Sequence, residues 1–131
     1  MTSKRIALIT GATSGIGEAT ARLLANNNFK LILTGRRSDR LQKLKDELKE
    51  RTDILTLEFD VRDRKAVSLA LQSLSPEWKN VDVLINNAGG AHGLDPIQSG
   101  NVDDWEAMID ANVKGLLYVS REILPGMVER K

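Results

Sequence analysis

Arg5-Ile6-Ala7-Leu8-Ile9-Thr10-Gly11-Ala12-Thr13-Ser14-Gly15-Ile16-Gly17 decides the fold, because an apolar run breaks there into a glycine-rich turn and then into a helical pattern. A short aliphatic run bounded by glycine reads as a buried strand. The helix that follows opens with unpaired N–H groups and a partial positive charge, which together stabilise an anion such as a pyrophosphate. Within the turn, Gly11 permits the tight reversal, Gly15 lets the backbone approach a ligand, and Gly17 lets the helix pack closely on the sheet. Thr13 and Ser14 add hydroxyl donors, and Ile16 sits at the helix start. A turn that only joins strand to helix is the plainer alternative, but the strand-loop-helix setting favours phosphate binding. The spacing is Gly-x-x-x-Gly-x-Gly, not the commoner Gly-x-Gly-x-x-Gly.

Working outward, the runs at residues 5–10, 30–34, 54–59 and 81–86 predict four buried strands. Between them the period changes. Ile16, Ala19, Thr20, Leu23 and Leu24 fall on one face of a first helix that should end near residues 26–28. A second helix opens at Ser38 as N-cap, carries Asp39 in its first turn, and buries Leu41, Leu44 and Leu48. A third carries Val67, Ala70, Leu71 and Leu74 and stops before Pro76. The longest helical pattern presents a stripe from Trp105 through Ile109, Val113 and Leu117 to Ile123 and Leu124, which Pro125-Gly126 should kink or end.

Alternating strands and helices imply parallel strands joined by right-handed crossovers. Strands one to three then lie in the order 3-2-1, and a fourth beyond the first gives 3-2-1-4. This is a Rossmann-like, doubly wound α/β sheet, whose change of direction opens a crevice at the carboxyl ends of strands one and four. Two loops meet there, residues 11–17 and residues 86–90. No repeat, low-complexity stretch or linker interrupts residues 1–131, which predicts a single nucleotide-binding domain.

The second loop begins Asn86-Asn87-Ala88-Gly89. Thr-Gly-x-x-x-Gly-x-Gly followed about seventy residues later by Asn-Asn-Ala-Gly resembles the short-chain dehydrogenase/reductases. The likeness extends to Asp60-Val61 and Asn112 and so spans nearly the whole chain. It implies that Asn87, Ala88 and Gly89 line the cofactor's ribose, that Asp60 beside Val61 meets the adenine amino group, and that Asn112 supports a water in the proton relay to a catalytic lysine. Asn112 also stands out on physical grounds, since it interrupts an apolar stripe and an unpartnered buried amide costs about 1–3 kcal/mol. Hydrogen bonds to neighbouring backbone would satisfy it as well.

The end of the second strand selects between nicotinamide cofactors, because an acidic side chain there accepts from the adenosine ribose and repels a 2′-phosphate. Gly35 is followed instead by Arg36 and Arg37, whose guanidinium forks match a phosphate, so NADP is the expected cofactor. Arg37 and Arg40 equally suit solvated charges near the start of the second helix. His92 could serve as a general base beside the crevice, but a lone loop histidine is more often a solvated one. Tyr118 is followed four residues later by Glu122, not by the lysine of the family's Tyr-x-x-x-Lys pair, and is expected off the apolar stripe of its helix.

Nineteen basic against eighteen acidic residues leave a net charge of +1, which gives no general attraction to nucleic acid or to an anionic membrane. With no cysteine and one histidine, thiol catalysis and a metal site are not expected. The apolar start at Ile6 is too short for a membrane span, which makes a cytoplasmic location the default. Members of the resembled family run about twice this length and carry a fifth strand, a catalytic serine and the Tyr-x-x-x-Lys helix. The sequence stops where that strand would begin, and so reads as the NADP(H)-binding N-terminal half, without turnover of its own. One piece of a complemented oxidoreductase, or a folding or design fragment, are the alternatives. Ser75-Pro76-Glu77-Trp78 and the loop at residues 93–101 resemble the branch acting on hydroxy amino acids and small hydroxy acids. An unpaired fourth-strand edge and a partly uncovered fourth helix predict a homo-oligomer.

Overall fold

The computed structural model describes residues 4–131; residues 1–3, the lead-in to the first strand, lie outside the described residues. The chain runs β1 (Arg5–Ile9), α1 (Gly15–Ala25), β2 (Phe29–Gly35), α2 (Ser38–Leu48), β3 (Ile54–Glu58), α3 (Arg64–Gln72), β4 (Val83–Ile85), α4 (Val102–Ile109), a π-helical stretch (Asp110–Gly115) and α5 (Leu116–Arg130). All strand pairs are parallel and the order is β3-β2-β1-β4. That is the order required by alternating strands and helices, with the reversal between β1 and β4.

Successive strand residues point to opposite faces, and both faces are covered, which is why the strands read as unbroken apolar runs. Ala7, Ile9, Leu31 and Leu33 pack under α1 and α2 against Ala21, Ala25, Leu41 and Leu48. Ile6, Leu8 and Ile32 pack on the other face against Val67, Leu71, Trp78, Val119 and Ile123. The β4 ladder is shorter than the predicted 81–86. At its start the Asp82 carboxylate, not a main-chain carbonyl, accepts the Ile6 N–H at 2.8 Å.

Four local expectations differ from the structure. On α1 the sheet-facing residues are Gly17, Ala21 and Ala25, while Ile16 and Leu23 are 78% and 62% exposed. Small residues carry this contact because the helix lies close on the sheet. Arg37, not Ser38, is the N-cap of α2, since the extended backbone leaving β2 still includes Arg37. Pro125 does not end the last helix but lies inside α5, which continues to Arg130. Pro125 and Arg121 are both exposed, so the carbonyl deprived of a helical donor faces water. Finally, the core face of the last helix is Gly115, Val119 and Ile123, with Tyr118 packed at its edge, whereas Val113, Leu117 and Leu124 are exposed. The π-helical winding changes the phase of the stripe, which a fixed helical period cannot follow. Among the described residues, no helix is long and apolar enough to cross a membrane.

Candidate functional site

The chain leaves β1 at Thr10, which is buried and holds the two loops together. Its hydroxyl accepts the N–H groups of Asn87 and Ala88, each at 2.9 Å. The Asn87 amide returns the contact by donating to the carbonyls of Thr10 and Gly11 at 3.1 and 2.9 Å. On the other side, Ala12 N–H donates to Thr34 O at the end of β2. The glycine turn is therefore pinned to both neighbouring strands, and its remaining surface faces outward.

Two glycines make that geometry possible for different reasons. A Cβ on Gly17 would overlap the Gly11 carbonyl oxygen and the Asn87 side-chain nitrogen, so the helix can meet the turn only without a side chain there. Gly15 has φ +54 and no protein atom near the position its Cβ would take. That open space is the start of a cleft of about 380 Å³. Ser14 precedes α1 without capping it through its side chain, which leaves the first N–H groups of the helix available to a ligand.

Gly11, Thr13, Ser14, Gly15 and Ile16 line one wall of the cleft; Arg36, Arg37 and Arg40 line a second. Asp60 and Val61 follow β3 on a third side, and Asn87, Ala88 and Gly89 follow β4 on the fourth. Thus, of the residues singled out from the sequence, only Gly17 and Asn112 do not line the cleft. Gly17 supports the turn, and Asn112 supports the loop after β4. The Asn112 side chain is exposed, not buried as the stripe implied, and its partner is backbone. It accepts the Gly90 N–H at 2.8 Å and donates to the Gly90 carbonyl at 2.9 Å. His92 is exposed at the cleft rim.

The arginines at the end of β2 are exposed, and among the described residues none of the three forms a salt bridge. Asp60 is in the opposite condition. Arg62 clamps its carboxylate, with Nε at 3.1 and 3.0 Å from the two oxygens and a second guanidinium nitrogen at 2.7 Å. The Arg62 N–H adds a bond at 3.0 Å. These bonds hold the Asp60 carboxyl below its ordinary pKa, against the opposing effect of partial burial. Thr34, at the cleft floor, has a buried hydroxyl oxygen without a partner.

The short chain dehydrogenase family model matches residues 5–131. The chain belongs to the short-chain dehydrogenase family. It is 54% identical over 125 residues to NADP-dependent 3-hydroxy acid dehydrogenase YdfG of Salmonella typhi, covering 95% of this chain and 50% of that protein. Sulfoacetaldehyde reductase 2 of Chromohalobacter salexigens is 47% identical over 124 residues, covering 95% of this chain and 49% of that protein. Among solved structures, the closed form of serine dehydrogenase complexed with NADP+ superposes with a TM-score of 0.88 at 53% identity, covering 95% of this chain and 50% of that one. The chain spans about half the length of the relatives it matches.

Sequence reasoning about this short-chain dehydrogenase chain missed several cleft residues. Arg40, read from the sequence only as a solvated charge, lies in the first turn of α2 and lines the cleft beside Arg36 and Arg37. Arg62 carried a readable signal too, since an aspartate commonly bonds the backbone two residues on in a turn. Nothing in composition pointed to Ala111, which reaches the cleft through the π-helical stretch.

Proposed function

We propose that this chain is a single nucleotide-binding unit that holds NADP(H) in the cytoplasm as about half of an oxidoreductase acting on small hydroxy acids. The observation that carries the reading is one continuous cleft joining an uncapped helix N-terminus to unpaired arginines. The residues present suit the dinucleotide. The turn from Gly11 to Gly17, with the Thr13 and Ser14 hydroxyls, offers N–H and O–H donors to a pyrophosphate. Arg36 and Arg37 line the cleft just after β2, and among the described residues no carboxylate forms a salt bridge with them, which suits a ribose 2′-phosphate. Asp60 and Val61 form the wall for the adenine, while Asn87, Ala88 and Gly89 line the far ribose. The NADP-dependent relatives and the NADP+ complex support this choice of cofactor. A bound nicotinamide supplies or accepts the hydride.

The chain's own groups bind and orient; among the described residues His92 at the cleft rim is exposed and makes no hydrogen bond that would orient it toward a substrate oxygen. Tyr118 packs at the edge of the core and has Glu122, not lysine, four residues on. Asn112 spends one N–H and one lone pair on Gly90, which leaves the other N–H and lone pair for a water. Turnover therefore requires groups outside these residues. Gly15→Ala tests the binding mode, because its Cβ would meet no protein atom within 4 Å, although the φ of +54 strains any side chain by about 1–2 kcal/mol. The variant is expected to stay folded by circular dichroism with that loss of stability and to lose NADPH binding; retained binding would place the nucleotide elsewhere.

The free edge of β4 supports assembly. Asn86, just after that strand, has a buried side-chain oxygen without a partner among the described residues, while its amide nitrogen donates to the Ser120 hydroxyl at 3.0 Å. We infer that a second copy of this chain packs along this edge, on the helix that exposes Leu117 and Leu124, or on both. Light scattering showing a monomer at high concentration would contradict it.

A further inference from the structure

The π-helical stretch Asp110–Gly115 meets two of the cleft's walls, the loop after β4 and the turn after β3. On one side Asn112 exchanges two hydrogen bonds with the Gly90 backbone, and the fit is close enough that a Cβ on Gly89 would overlap its side-chain oxygen. On the other side Gly115 is buried against the turn after β3. A Cβ there would lie 2.7 Å from Val61 Cγ2, 2.9 Å from Val61 Cβ and 3.3 Å from the Val61 carbonyl oxygen. Ala111, between them, lines the cleft itself, as do Gly90 and Val61. In a regular α-helix residues three apart lie nearly one above the other. The wider winding splays Asn112 and Gly115, so that one stretch can serve two loops.

We propose that this stretch is a brace that sets the width of the cleft, with Gly115 as a positioning residue acting through Val61 and Asn112 holding the opposite wall. The proposal rests on the reading of the cleft as a dinucleotide site. Its geometric content, two loops held by one stretch, can be measured without any ligand.

Gly115→Ala drives a methyl group into Val61 and moves that wall inward. NADPH should bind about tenfold more weakly in a fluorescence titration, the size of an ordinary overpacking cost. Val61 lines the cleft, so Val61→Gly is titrated alone as well; the double variant, which lacks both offending carbons, should recover at least about threefold relative to the two single losses combined, a coupling that independent sites do not show. In the ligand-free variant Gly115→Ala, amide exchange should quicken at Arg62 and at Gly90, while the β1 and β2 amides keep their parental rates. Unchanged NADPH affinity, no recovery in the double variant, or exchange that quickens everywhere or only within α5 would overturn the brace. If Gly115→Ala does not fold, Asn112→Ala, which only deletes atoms, decides the question. It should quicken exchange at Gly90 and weaken NADPH, and unaltered exchange there would overturn the proposal. A parental chain that binds no NADPH would refute the dinucleotide reading instead, and the exchange rates of the ligand-free variants would still decide the brace.

Discussion

Gly17→Ala separates a packing glycine from an ordinary helical one. In an unremarkable helix interior the change would stabilise by about 0.5–1 kcal/mol. Here the new methyl would overlap the Gly11 carbonyl, which is backbone and held in place, and the Asn87 amide nitrogen. Overpacking of this kind costs about 1–3 kcal/mol. Displacing the Asn87 side chain also loses its bonds to Thr10 O and Gly11 O, each worth about 1 kcal/mol net. The helical gain offsets only part of this, leaving a destabilisation of about 2–4.5 kcal/mol. Urea unfolding followed by circular dichroism should show the midpoint falling by about 1–2 M with an unchanged slope. A midpoint that holds or rises would refute the close approach of α1 to the turn, and with it the account of how the two loops are joined.

Thr10→Val should destabilise by about 2 kcal/mol or more, because the Asn87 and Ala88 N–H groups lose their shared acceptor, and Thr10→Ser should retain most of the stability in the same urea experiment. Arg62→Ala should raise the Asp60 pKa toward its ordinary value, observable by NMR titration of the carboxyl. Since the native pKa is depressed, the clamp's contribution is present above the ordinary carboxylate pKa and is lost as pH falls through the native value. The pair is partly exposed, so the difference at neutral pH should be only about 0.2–1 kcal/mol, vanishing in acid. A difference that persists undiminished at low pH would mean that Arg62 acts through something other than Asp60.

The centre of the sheet was legible because both faces of β1 and β2 are buried, so that they stand out as apolar runs, while the half-buried β3 still shows Ile54, Leu55 and Leu57. Most of the cleft was legible for another reason: its walls are the loops after strands, and their residues are those that backbone geometry and anion binding demand. Close approach was harder to read. On α1 the contact is made by Gly17, Ala21 and Ala25, residues too small to register as apolar, while the larger Ile16 and Leu23 drew the eye and face solvent. The phase of the last helix was lost for a related reason, since the π-helical winding at Asp110–Gly115 leaves no trace in residue type and turns Val119 into the core. The clamp on Asp60 depends on where Arg62 folds back in a turn, which strand and helix periods do not describe.

The central claim is a cleft built for a phosphorylated dinucleotide, and titrating the chain with NADPH and NADH side by side tests it most directly. The account predicts that NADPH binds more tightly by about tenfold or more, and that Arg36→Ala, by removing a charge-assisted bond to the 2′-phosphate, brings the two affinities together. Equal affinities in the unmutated chain, or a preference that survives Arg36→Ala, would contradict it.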